Sequence, residues 1–174
     1  MSESSLSPVQ RHWRSAVLIL VVITILFAGW RYRVRQSPEY ALEVVAEIET
    51  REDAYDRRGY ITPQGMKLMN HVFDTQKGPA MGGELIYEKC QVQGALCYFP
   101  FKQPETNNAG YMVFEKHGKW QFHDLVITKI EGKEVEMSLA WAIDHPFQAA
   151  LKGIDWDLML EYFLKGFAIG MGAG

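Results

Sequence analysis

Cysteine is scarce. Cys90 and Cys97 are the only two, which excludes a disulfide-framework protein and any zinc site built on four thiolates. The five histidines, His12, His71, His117, His123 and His145, lie far apart and none falls in a His-Glu-x-x-His spacing, so no metal site is expected. No glycine-rich loop leads into Lys-Ser or Lys-Thr, so a phosphate-cradling loop is absent too. The reading therefore names no catalytic residue and no cofactor. Basic charge is short beyond residue 36, where 13 Lys plus Arg face 20 Asp plus Glu. Such a surface repels a phosphate backbone and disfavours nucleic acid.

Charge is also missing from residues 16–30, AVLILVVITILFAGW. Arg11 and Arg14 precede this run, and Arg31, Arg33 and Arg35 follow it. A membrane span needs about 20 residues, because the hydrocarbon core is about 30 Å thick. Trp13 at one end and Trp30 and Tyr32 at the other supply interfacial rings. Arg14 and Arg31 can bury their stems and keep their heads wet, which extends the run to a full span. A cleaved signal peptide would need small residues at a cleavage site, and Leu26-Phe27-Ala28 and Gly29-Trp30-Arg31 fit poorly. An interfacial helix would need a polar face, and this one has none. The expectation is an uncleaved single-pass anchor within residues 1–36, with the lipid bilayer as its first partner.

Orientation is finely balanced. Two Arg precede the run and three follow it, which alone leans slightly towards a cytoplasmic domain. A short amino-terminal tail before one span and a large domain is the commoner layout of an anchor whose domain is exported. The soluble part is expected on the extracytoplasmic side.

Ser37-Pro38-Glu39 reads as a helix start: an N-cap, a proline at the first position and an acid in the first turn. Ala41, Val44, Val45, Ile48 and Tyr55 then recur near helical period, up to Gly59. Thr62-Pro63 repeats the start signal ahead of Met66, Leu68, Met69, Val72 and Phe73. Residues 74–82 read as a loop.

The pattern next turns to strands. Residues 84–92 and 95–102 flank Gln93-Gly94, a two-residue hairpin signal. With that loop, Cys90 faces Cys97 at a spacing a disulfide can bridge. The alternative is two small buried apolar side chains. Pro100 implies an edge or a bulge. After a polar loop at 103–109, residues 111–116 and 119–130 form a hairpin about His117-Gly118. Its apolar phase runs Trp120, Phe122, then Leu125, Ile127, and the switch at His123-Asp124 predicts a β-bulge. Residues 134–143 are expected to be helical, stopping near His145-Pro146. Residues 155–167 are a second helix with Leu158, Tyr162, Phe163 and Phe167 on its apolar surface, which either packs onto the chain's own sheet or is a face for a partner or the bilayer.

Helices followed by antiparallel strands make an α+β fold. SPEYALEVVAEIETREDAYD with YITPQGMKLM, and YMVFEKHGKWQFHDL, resemble the opening and the final hairpin of the nuclear-transport-factor-two-like superfamily. The resemblance covers residues 37–130 and implies an α+β roll with Trp120 packed in its cone and Gly118 turning its hairpin. It divides the chain into an anchor over 1–36, a roll over 37–132 and a carboxy-terminal helical extension over 133–174. The superfamily holds dehydratases, isomerases and polyketide cyclases, and many non-enzymes. Single-pass members of similar layout include assembly components of bacterial secretion machines. An enzyme of this kind would resemble ketosteroid isomerase, with a carboxylate base in an apolar cone. Asp53, Asp124 and Glu115 are the residues for that role, with Tyr55, Tyr60, Tyr111 and His71 as donors. Against it, Asp53 sits in a solvated ETRED run and Asp124 marks a bulge. The expectation is a non-enzymatic binding or scaffold subunit of a larger membrane complex. The alternative is a tethered enzyme or hydrophobic-ligand binder that uses the cone.

Overall fold

The computed structural model describes residues 8–48, 50–75 and 85–151. The chain divides into two compact units, residues 1–36 and 37–174.

The first unit is one helix, α1 (Pro8–Arg35). Its one hydroxyl inside the apolar run, Thr24 Oγ1, donates to the Leu20 carbonyl at 2.8 Å. That bond satisfies the polar group within the helix itself.

In the second unit, Ser37 caps α2 (Pro38–Ala46), accepting from the Tyr40 N–H at 3.1 Å. The single helix expected over this stretch is broken. A second cap, Thr50, starts α3 (Arg51–Asp56), and the phase changes between them, which leaves Tyr55 41 % exposed instead of on the buried face. Arg51 ties α3 to α4 (Pro63–Thr75), donating to the Asn70 carbonyl at 3.3 Å and pairing with Asp74. Asp74 and Thr75 thus finish a helix where a loop was expected, and the rest of that loop, to residue 82, lies outside the described residues.

The sheet is antiparallel and six-stranded among the described residues. Its strands are β1 (Ile86–Tyr87), β2 (Gln91–Gln93), β3 (Leu96–Gln103), β4 (Asn108–His117), β5 (Lys119–Ile130) and β6 (Lys133–Ser138). Their order is β1-β3-β4-β5-β6, with β2 also on β3. The strand expected over 84–92 is split into β1 and β2, and Pro100 explains the split. Glu88 N–H donates to the Pro100 carbonyl at 2.8 Å, so Pro100 turns its polar edge towards β1 and β2. On that edge it has no N–H to offer, and residues 88–90 leave the ladder opposite it.

The β4–β5 pairing slips between Val113 and Phe114, so the bulge expected at His123-Asp124 is present. Trp120, Phe122, Leu125 and Ile127 are all buried. Residues 134–143 were expected to be helical; Lys133–Ser138 is strand β6 instead, and the helix begins only at Leu139. Val135 and Met137 alternate with charged neighbours, and a turn with positive φ at Glu131 and Gly132 folds β6 back on β5. Ser138 then caps α5 (Leu139–Asp144), followed by α6 (Pro146–Leu151).

The core lies between the sheet and helices α2, α4 and α5. Phe99, Phe114 and Phe122 meet edge to face, with centroids 5.5 and 5.8 Å apart. Helix α4 reaches β5 very closely. Thr62 N–H donates to the Phe122 carbonyl at 2.8 Å, and a Cβ on Gly65 would stand 2.4 Å from that same oxygen. Only glycine permits this approach.

Candidate functional site

The carboxylates and donors considered for a roll-type active site do not converge. Asp53 belongs to the α3 cap: the Thr50 hydroxyl donates to its Oδ2 at 2.9 Å, and its own N–H donates back to Thr50 Oγ1 at 3.1 Å. Asp124 is buried and accepts three hydrogen bonds. Its Oδ1 accepts from the N–H groups of Leu125 at 2.7 Å and Ala140 at 3.0 Å, and its Oδ2 accepts from the Ser138 hydroxyl. Ser138 Oγ in turn accepts from the Trp141 N–H at 3.0 Å. Asp124 therefore serves as a second cap for α5, carried by the bulge of β5. A carboxylate held this way has little left with which to take a substrate proton.

Glu115 has a different setting. Its Oε2 lies 2.8 Å from His117 Nε2 and 3.4 Å from His123 Nδ1. Residues 115 and 117 share one face of β4, and the bulge swings His123 towards them. Thr62 Oγ1 stands 3.2 Å from His123 Nδ1, which suggests a hydroxyl–imidazole–carboxylate array. The geometry excludes a relay. Both contacts fall on the same ring nitrogen, whereas a relay needs the hydroxyl and the carboxylate on opposite nitrogens. Thr62 Oγ1 is also occupied as the cap of α4, accepting from the Gly65 N–H at 3.0 Å. No metal-holding cluster of three or more His, Cys, Asp or Glu occurs among the described residues.

The tyrosines scatter. Tyr55 stacks under Arg58 at 5.3 Å, and Tyr60 lies against Tyr40 and under Lys119 Nζ at 4.1 Å. Tyr111 meets Tyr98 edge-on, on the face of the sheet opposite Phe99 and Met112. His71 sits on α4. Leu68, Phe101, Met112, Phe114, Phe122 and Ile127 are each less than 2 % exposed and belong to the core. A groove of about 500 Å³ crosses β4, β5 and β6, lined by Ala109, Thr128, Lys129, Glu134, Val135 and Glu136. It is open to solvent, and its Lys129 and Glu134 face each other across the strand pair.

At the opposite edge of the sheet, Tyr87 and Lys102 have perturbed ionisation. Burial pushes the Tyr87 phenol well above its ordinary range. The hydrogen bond from Lys102 to Glu88, and then the charge of Glu88, hold the Lys102 ammonium above its usual value.

Cys90 and Cys97 are joined, with Cα atoms 6.0 Å apart. The expected register is corrected: Val92, not Cys90, faces Cys97, because the turn is Gly94-Ala95 and Gly94 takes the positive φ. The bond therefore runs diagonally, from the residue just before β2 to the second residue of β3.

Helix α1 carries an unbroken stretch, Ser15–Arg35, long and apolar enough to cross a membrane. Trp13, Trp30 and Tyr32 are exposed on it, and the Arg31 guanidinium lies 5.9 Å over the Phe27 ring. Arg14 is on the same helix. Leu158, Tyr162, Phe163 and Phe167 lie outside the described residues.

Sequence reasoning missed the Asp124–Ser138 cap. Its signal was present: a Ser directly before an apolar Leu-Ala-Trp run is an N-cap pattern. No family model, no curated protein and no solved structure matches the chain.

Proposed function

We propose that this is a single-pass membrane protein whose α+β domain is a non-enzymatic binding or scaffold subunit of a larger membrane assembly. The observation that carries the reading is the contrast within one chain of an exposed helix with a long apolar stretch and a domain whose apolar side chains pack into one buried core. The helix supplies a bilayer anchor with Trp and Tyr rings at its ends. Phe114 and Phe122 are buried in the core, and Asp53 and Asp124 are engaged in helix caps. These points weigh against the tethered enzyme and the cone-bound ligand.

The domain is a roll of the nuclear-transport-factor-two-like kind. Supporting this are the helices ahead of an antiparallel sheet, the Gly118 turn before Lys119-Trp120, and Trp120 in the core. Its contacts come from the face of the sheet bearing Tyr98 and Tyr111 and from the apolar carboxy-terminal segment with Leu158, Tyr162, Phe163 and Phe167. The Cys90–Cys97 pair favours an oxidising, extracytoplasmic location.

Crosslinking in native membranes, followed by purification through a carboxy-terminal tag, tests the reading. A reproducible crosslinked species containing another membrane protein is expected. A chain that stays monomeric in native membranes, with no crosslinked partner, would overturn it.

A further inference from the structure

The two joined cysteines differ in access. Cys97 is 0 % exposed, packed in the core on β3 opposite Phe114. Cys90 is half-buried, in the irregular residues between β1 and β2. The strand it holds is weakly attached otherwise. Only Gln91–Gln93 pair with β3, and all three are exposed. Next to them, residues 88–90 have left the ladder opposite Pro100. Covalent linkage here stands in for backbone pairing that the proline prevents.

We propose that Cys90–Cys97 is a one-sided thiol–disulfide exchange site, entered at Cys90, whose opening releases β2 from β3. The ligand is a thiolate, free as in glutathione or carried by a protein. It rests on the reading that the domain matures on the oxidising side of the membrane. In-line attack on a disulfide needs access to the sulfur attacked; Cys97 is fully buried and Cys90 only half-buried, which favours entry at Cys90. The thiolate bonds to Sγ of Cys90. The Cys90–Cys97 bond breaks, and Sγ of Cys97 leaves with the electron pair and takes a proton from solvent. A second thiolate then displaces Cys90 from the mixed disulfide, giving two protein thiols and one disulfide of the reagent. Two electrons pass from two thiols to the protein. Run in reverse, the same steps let an oxidised dithiol close the bond. With the bond open, β2 keeps only its three short pairings, and the outer edge of β3 around Cys97 and Tyr98 becomes available to another strand.

The test uses the full chain in detergent. Limited reduction with glutathione is quenched by acid, and the glutathione adduct is located by peptide mapping. A second arm uses a small dithiol protein at equal thiol concentration, trapped as the mixed disulfide. At least a ten-fold excess of adduct on Cys90 over Cys97 is expected with glutathione. Adduct shared equally, or mainly on Cys97, overturns the site. An adduct with glutathione but none with the dithiol protein assigns the site to free thiols, and the reverse assigns it to protein thiols. Hydrogen exchange on the same sample reads the release. Full reduction should raise exchange at residues 91–93 while 119–127 stay protected, and unchanged exchange at 91–93 overturns the release. Thiol trapping in sealed cells addresses the compartment separately. Reduced cysteines there, with the adduct still on Cys90 in vitro, overturn the extracytoplasmic reading and leave the exchange site standing.

Discussion

Helix α1 and the domain that follows it use the same side chains in opposite ways. Leu20 and Leu26 in α1 are 65 % and 67 % exposed, whereas Leu139 and Ile127 in the domain are 1 % and 0 % exposed. Each buried side chain of this kind contributes about 1.5–3 kcal/mol to holding the domain together. Each exposed one in α1 forgoes that gain in water, so a run of them marks a segment built for apolar surroundings. The contrast lies in composition and in patterning, for residues 16–30 carry no charge and the domain carries many. The domain alternates apolar with polar at a period of two or near four, and α1 does not alternate at all.

The largest expected effect attacks α1. Arginine at both Leu20 and Ile23 puts two charges near the centre of the apolar stretch, each costing about 2.5–3.5 kcal/mol of insertion if that stretch spans a bilayer. The protein should move out of the carbonate-resistant membrane fraction on centrifugation. Unchanged partition would end the comparison, because α1 would then not be reading lipid. Next comes the interior of the domain. Phe114→Ala removes the ring that touches both Phe99 and Phe122 and should lower stability by about 3–5 kcal/mol in urea titration. The same type of truncation in α1, Phe27→Ala, should leave the urea midpoint of the domain unchanged.

A smaller effect is expected at Asp124. Replacing it with Ala leaves the Ala140 N–H, the Leu125 N–H and the Ser138 hydroxyl without their acceptor. Buried orphans cost roughly 1–3 kcal/mol each, less whatever water restores, so a loss of about 2 kcal/mol or more is expected. Asp124→Asn keeps an acceptor and should recover part of it. Equal stability of wild type and Asp124→Ala would return Asp124 to the list of candidate bases.

How much of this was readable follows from the range of the interactions. Strand β5 was legible to the residue, because alternation and its phase slip at His123-Asp124 are local. The caps at Ser37 and Thr62 were legible for the same reason. Residues 133–138 were not, although the helix expected over 134–143 is present from Leu139 onward. There a strand of period two passes into a helix at Ser138 with no glycine or proline at the junction, and a window spanning both averages the two periods. The break between α2 and α3 was hidden because Thr50 lies among charged residues that suit a helix. The role of Asp124 was invisible because its partners are 14 and 16 residues further along. The failure of Thr62, His123 and Glu115 to form a relay depends on which ring nitrogen each touches, a detail no spacing carries.

The smallest effect at neutral pH is zero by construction, and it appears only in alkali, at the edge where the interior meets solvent. Tyr87 and Lys102 both have folded-state pKa values raised above their unfolded ones. For each, the folded chain holds its proton more tightly than the unfolded chain, so stability falls with rising pH once the unfolded form begins to lose that proton. The Tyr87 contribution is complete below the ordinary tyrosine value of 10.0 and declines above it. That of Lys102 is complete below 10.5 and declines above that. Melting temperature followed from pH 8 to pH 12, about the ordinary Tyr and Lys range, should be flat at first and then fall. Tyr87→Phe removes the desolvated phenol and should make the fall shallower. Glu88→Gln removes the partner that raises Lys102 and should have a lesser effect, because that ammonium is exposed and water screens the pair. If Tyr87→Phe falls as steeply as wild type, the edge strand β1 is not closed over the interior. The boundary of the domain core would then lie at β3, inside the disulfide and not at β1.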